Sequence, residues 1–198
     1  MRVGLYFGSF NPPHIGHTVV AEYMLHEMEA DEIWLVISPQ NPFKEQSNLL
    51  DEESRLSLVK RALDGHEQIK PCTFEFDLPR PSYTIDTMRE MSAKHPDEEF
   101  FLIMGSDNII GIEGWKDYRE LISSYEIAVY PRPGYEIEEG YLARLDGKIS
   151  LTDAPQMNLS STAIRKAIAE ERPCRFMMRS AVWREVNRKG YFRSSLDS

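Results

Sequence analysis

Gly8-Ser9-Phe10-Asn11-Pro12-Pro13-His14-Ile15-Gly16-His17 follows directly on the apolar run Arg2 to Phe7 and leads into a stretch of helical period from about Ile15 to Met28. The apolar run has the length of a strand, and the residues after it turn the chain. Gly8-Ser9-Phe10 makes the turn, Asn11 is placed to cap a helix, and Pro12 suits the first helical position. A second apolar run, Glu32 to Ile37, completes a β-α-β unit. The loop is then a helix N-terminus at the carboxyl edge of a parallel sheet, with free N–H groups and about half a positive charge. That suits a phosphate. His14 and His17, three apart, share a face of the first turn and reach the same phosphate chain.

The rest of the chain repeats the alternation of short apolar runs and helical segments, which predicts an α/β fold with helices on both faces of the sheet. Asp51 is a plausible N-cap for a helix carrying Leu56, Leu58, Val59, Ala62 and Leu63, ended by Gly65. Ile69 to Phe76 reads as a strand, and Pro71 sends it to an edge or delays its start. Thr84 caps a helix with Ile85, Met88 and Met91 inward, ending near His95-Pro96. Phe100 to Met104 is a buried strand, Tyr118 to Ser123 a helix, and Glu126 to Tyr130 and Ile149 to Thr152 are the last strands. Glu136 to Gly147 reads as a surface excursion. Two helices, about Ser161 to Glu170 and Ser180 to Lys189, close the chain, with Gly190 as the final stop. No repeat or linker divides the 198 residues, so one domain over 1–198 is expected, its C-terminal helical portion spanning about 159–192.

Composition bounds the function. Charged residues at 28% and hydrophobic ones at 41% fit a folded soluble protein rather than a disordered one. The first residues lack the pattern of a signal peptide, and no apolar run approaches the roughly 20 residues of a membrane span. Cys72 and Cys174 have no metal-ligand spacing and read as free thiols in a reducing, cytoplasmic compartment. A net charge of −9 speaks against nucleic acid as a partner, although Leu159 to Arg193 carries nine Lys or Arg against three Glu. Most of those charges read as solvated helix faces; Arg165 is the one reserved for chemistry.

Alternatives for the histidine pair narrow quickly. A zinc site needs a third ligand, and no local His or Cys supplies one. The glycine spacings of a dinucleotide fingerprint and of a Walker loop are both missing. Two structural histidines remain the plain alternative. Ser160, Ser161 and Thr162 crowd hydroxyls at another helix start with Arg165 one turn on, a second phosphate cradle or simply a capped helix. Gly105 and Asp107 after the buried strand read equally as a turn and a cap. Lys44, in the loop after the second strand, lies at the ligand edge, where a lysine meets phosphate or only water. Trp115 on its own reads as core.

Taken together these segments resemble a family, the nucleotidyltransferases marked by His-x-Gly-His after the first strand. Pro81-Ser82-Tyr83-Thr84-Ile85-Asp86-Thr87, Gly105-Ser106-Asp107 followed by Trp115, Pro131-Arg132-Pro133-Gly134 and Leu159-Ser160-Ser161-Thr162-Ala163-Ile164-Arg165 are similar, in order, to the bacterial nicotinate-nucleotide adenylyltransferases. The resemblance runs from Met1 to about Phe192. It implies a Rossmann-like doubly wound parallel sheet and transfer of the adenylyl group of ATP to nicotinate mononucleotide, in NAD biosynthesis. It further implies that His14, His17, Lys44 and Arg165 are catalytic, and that Gly8, Ser9, Phe10, Gly105, Asp107, Ser160, Ser161 and Thr162 join the histidines and Arg165 in binding ATP. Asn41, Lys44, Tyr83, Thr84, Ile85, Trp115 and Arg132 fall on the pyridine-nucleotide side. Trp115 then offers a face to the pyridinium ring, and the N–H groups around Tyr83 to Ile85 receive the nicotinate carboxylate. Where many members have Asp, this chain has Asn11, which makes a metal ligand there less plausible.

The implied reaction is in-line attack by a phosphate that is already anionic, so alignment and charge stabilisation suffice without a general base. Mg²⁺ is expected to arrive on the ATP phosphates, with few protein ligands and several waters, and no residue is singled out as a metal ligand. Sibling enzymes acting on nicotinamide mononucleotide, phosphopantetheine or cytidylyl donors share the motif, and a non-catalytic nucleotide sensor shares the scaffold. No DNA-binding element is visible, and a homo-oligomer is compatible with the sequence.

Overall fold

Near-continuous apolar strands with period-two alternation require a core on each face of the sheet, and the computed structural model, which describes residues 1–39 and 48–193, has both. Its strands are β1 (Arg2–Gly8), β2 (Glu32–Ile37), β3 (Ile69–Cys72), β4 (Glu99–Gly105), β5 (Glu126–Tyr130) and β6 (Ile149–Leu151). From β4, Phe101 and Ile103 enter one core while Phe100, Leu102 and Met104 enter the other; β1 divides likewise, with Tyr6 on the first side and Val3 and Leu5 on the second. The first core is covered by α1 (Ile15–Glu27), through Val20, Ala21, Met24 and Leu25, and by α2 (Glu52–Ala62) through Val59. The second is covered by α3 (Thr84–Lys94), through Ile85, Met88 and Met91, and by two elements after β4: the short α4 (Ser106–Ile109) and α5 (Tyr118–Ser124).

Among the described residues every strand pairing is parallel, and the order is β3-β2-β1-β4-β5-β6. That is the Rossmann-like doubly wound order, in which the winding reverses between β1 and β4 and opens a crevice at their carboxyl ends. The loop after β1 and the Gly105 turn after β4 flank that crevice. After α6 (Tyr141–Arg144), the chain ends in α7 (Ser161–Ala169) and α8 (Ser180–Lys189). These last two helices bury Ile164, Ala167, Ile168, Val182 and Val186 against Leu58 and Ala62, the second apolar face of α2. No helix among the described residues is long and apolar enough to cross a membrane.

Several boundaries differ from those read in the sequence. β3 stops at Cys72, and Phe74–Asp77 is a 3-10 turn because Glu75 folds inward and accepts a hydrogen bond from Thr87 Oγ1 at 2.6 Å. Pro71 does sit in an edge strand, as its missing N–H demands. Tyr83, not Thr84, holds the cap position of α3. The segment Glu136 to Gly147 is more than an excursion: it contains α6, whose Tyr141 hydroxyl donates to the carbonyls of Ile109 and Ile110 at 3.0 Å, and it buries Leu145.

Candidate active site

The loop after β1 does not cap α1 in the way its sequence suggests. Helical structure starts at Ile15 with His14 in the cap position, so neither Asn11 nor Pro12 has the expected role. Asn11 is otherwise engaged: its amide donates to Asn48 O at 2.8 Å and its side-chain oxygen accepts from Leu50 N at 3.2 Å. Phe10 takes a left-handed φ of 46°, uncommon for a bulky residue and typical of strain held at functional loops. Its ring is 1% exposed, so its side chain is not an ATP contact. It packs instead beneath His17, ring centroids 5.0 Å apart at 71°.

The two imidazoles stack with centroids 3.7 Å apart and planes 22° from parallel. The backbone N–H of His14 donates to His17 Nδ1 at 3.1 Å, so a neutral His17 carries its proton on Nε2 and that edge is a donor. His14 is buried, and burial, followed by the positive field of Arg132, lowers its pKa to about 4. Its Nδ1 has no hydrogen-bond partner among the described residues. A Cβ on residue 16 would stand 3.0 Å from this ring, so glycine there lets the histidine fold over the helix start.

Opposite stands the N-terminus of α7. Ser160 caps it, accepting from Ala163 N at 3.1 Å. Ser161 Oγ donates to Pro12 O at 2.8 Å, and one Arg165 nitrogen donates to Asn11 O at 2.9 Å while another reaches Thr162 Oγ1 at 3.3 Å. These contacts clasp α7 to the histidine loop, so two helix N-termini and Arg165 meet at one place.

On the β4 side, Arg132 pairs with Asp107 at 2.8 Å, and its backbone N–H donates to Ser106 Oγ at 2.9 Å. Asp107 Oδ1 is buried without a hydrogen-bond partner among the described residues. A side chain at Gly105 would run into both Asp107 and Arg132, so the glycine makes room for the pair. Arg132 therefore stands between Asp107 and His14 and joins the two halves of the crevice electrostatically. Beneath lies a buried pair, Tyr6 OH donating to Tyr130 OH at 3.1 Å, with Tyr6 6.1 Å from the His17 ring.

The remaining expected contacts gather at the start of α3. Among the described residues no side chain caps this helix, leaving its first N–H groups unclaimed by a cap there. Ile85 is 1% exposed, so its side chain is part of the core and only its backbone is left for the expected contact. Lys116 Nζ lies 5.0 Å above the Tyr83 ring, and Trp115 packs partly buried against the same core as Tyr83. Asn41 and Lys44 fall outside the described residues. Two residues went unread in the sequence: Tyr130, and Arg55, whose side chain is almost wholly buried at the edge of the crevice. Arg55 carries a signal, since it shares the stripe of Leu58, Val59 and Ala62 at helical spacing.

Residues 5–167 match the cytidylyltransferase-like family. A protein of Flavobacterium johnsoniae named "Probable nicotinate-nucleotide adenylyltransferase" is 39% identical over 98% of this chain and 100% of its own length. One of the same name from Christiangramia forsetii is 40% identical over 97% and 98%. In fold, the chain is similar to the nicotinic acid mononucleotide adenylyltransferase of Plasmodium falciparum complexed with NaAD, at a TM-score of 0.84, 20% identity and 99% coverage of both chains.

Proposed function

The chain belongs to the cytidylyltransferase-like family and, within it, to the nicotinate-nucleotide adenylyltransferases, and we propose that its His14–His17 crevice aligns nicotinate mononucleotide with the α-phosphorus of ATP. The enzyme transfers the adenylyl group of ATP to nicotinate mononucleotide, giving nicotinate adenine dinucleotide and pyrophosphate, a step of NAD biosynthesis. The observation that carries the site assignment is the stacked histidine pair, its His17 donor edge fixed by a backbone bond, facing the Ser160–Arg165 helix start.

The attacking phosphate oxygen is anionic at neutral pH, so no side chain needs to remove a proton. What the reaction requires is in-line alignment and stabilisation of charge on the transferring and leaving phosphates. His17 Nε2–H, the α7 N–H groups and Arg165 supply positive ends on one flank, and His14 and Arg132 on the other. Asp107 and Gly105 take the adenosine, as the unpartnered Asp107 oxygen supports, once the ribose hydroxyls compete with Arg132. The start of α3 receives the nicotinate carboxylate, with Trp115 beside the pyridinium ring and Lys44 on the phosphates. A divalent cation accompanies ATP in this family. We take it to be Mg²⁺ carried on the phosphates, because the crevice offers mainly nitrogens and hydroxyls, donors that suit phosphate better than Mg²⁺.

His17→Ala tests the assignment. Losing one transition-state donor is expected to lower turnover about 100-fold or more in a protein that keeps its circular dichroism. Near-normal release of pyrophosphate by that variant contradicts it.

A further inference from the structure

Arg55 is 1% exposed, and none of the ion pairs among the described residues includes it. Among the described residues its guanidinium donates to carbonyls only. Nε donates to Leu50 O at 3.0 Å, one terminal nitrogen to Ser9 O at 3.1 Å and Ser38 O at 2.6 Å, and the other to Pro39 O at 3.2 Å. Burial lowers its pKa, but an arginine remains charged. A buried cation bonded to carbonyls, with Glu52 and Asp51 acting on it through their field rather than by an ion pair among the described residues, is a poor source of stability, so the role of this one is better sought in what it holds.

What it holds is both loops at the carboxyl edge of the first β-α-β unit. Ser9 lies in the loop that delivers Phe10, His14 and His17. Ser38 and Pro39 follow β2, and Leu50 precedes α2. Asn11 doubles the seam from the other side through Asn48 O and Leu50 N, while its own carbonyl takes Arg165. The planar fork of an arginine spans several acceptors in fixed directions, which an ammonium on a flexible stem does not.

We propose that Arg55 is a positioning residue for adenylyl transfer, a buried cationic rivet that sets the histidine loop against the loop after β2. It touches no reacting atom. Its loss misplaces His17 by a fraction of an ångström to an ångström, an error felt in the transition state more than in ground-state binding.

The inference rests on the transfer reaction proposed above, and the wild-type control separates the two: without dinucleotide formation by wild type that reading fails, whereas Arg55 is tested only against an active wild type. Kinetics of Arg55→Met, Arg55→Lys and Arg55→Ala are measured beside thermal unfolding. Arg55→Met is expected to lower kcat by about 100-fold with KM for both substrates within about threefold, and Arg55→Lys to recover only part of the loss. Guanidinium chloride at non-denaturing concentration is expected to restore Arg55→Ala but not His17→Ala. A folded Arg55→Met with wild-type kcat overturns the proposal, as does loss of activity only in proportion to loss of folded protein without guanidinium rescue. If Arg55→Met and Arg55→Ala do not fold, the conservative Arg55→Lys decides: folded and with wild-type kcat, it overturns the proposal.

Discussion

His14 is held neutral at physiological pH by its surroundings, since burial and the Arg132 guanidinium bring it to about 4 from an ordinary 6.5. The unfolded chain therefore takes up a proton on this residue at a pH where the folded chain still refuses it. Stability contributed by the neutral ring is complete above about pH 6.5 and falls as pH drops toward 4, by up to about 3 kcal/mol. Urea unfolding of wild type and His14→Gln across that range measures it: the wild type is expected to lose stability more steeply on acidification, and parallel curves contradict the assignment. That His14, His17, Ser160, Ser161 and Arg165 come together was legible in part, because each combines a chemistry-bearing type with a helix start. Phe10 was legible as important but misread in role, because a left-handed φ of 46° turns its ring inward and no local pattern announces that. Arg55 escaped for a different reason. An arginine in an amphipathic helix is ordinarily solvated, and only its place on the apolar stripe with Leu58, Val59 and Ala62 betrays it.

Helix starts are where the proposed chemistry sits, and they are also where the sequence was hardest to read. The period of α1 and its range from about Ile15 were plain, but its cap was placed three residues early, since Asn11 and Pro12 look like a cap and a first helical residue. The side chain of Asn11 is spent on Asn48 and Leu50, long-range partners that no local rule foresees, and the cap position passes to His14. At α7 local and global signals agree, and Ser160 caps as its sequence indicates. Ser160→Ala is expected to cost about 1 kcal/mol of stability and to loosen the helix start proposed to receive phosphate. Chemical denaturation together with the KM for ATP tests this; a variant unchanged in both would mean that α7 is held by Ser161 and Arg165 alone. The strand at Ile69 was overextended for a related reason, since the turn at Phe74–Asp77 depends on the buried contact between Glu75 and Thr87.

For the molecule as a whole, the doubly wound order brings the β1 loop and the β4 turn to one crevice, and α2 carries the C-terminal helices so that Ser161 and Arg165 close it from above. The α/β class and the alternation of elements were readable from periodicity alone; the strand order was readable only through resemblance, because parallel neighbours lie far apart in the chain. The central claim is that this crevice joins ATP to nicotinate mononucleotide, with the uncapped start of α3 favouring a carboxylate over an amide. The most direct test incubates the purified protein and ATP with nicotinate or nicotinamide mononucleotide and follows dinucleotide and pyrophosphate together. Equal yields of both products, with a higher kcat/KM for the nicotinate substrate, are predicted; no dinucleotide from either substrate, or a preference for the nicotinamide one, would contradict the account.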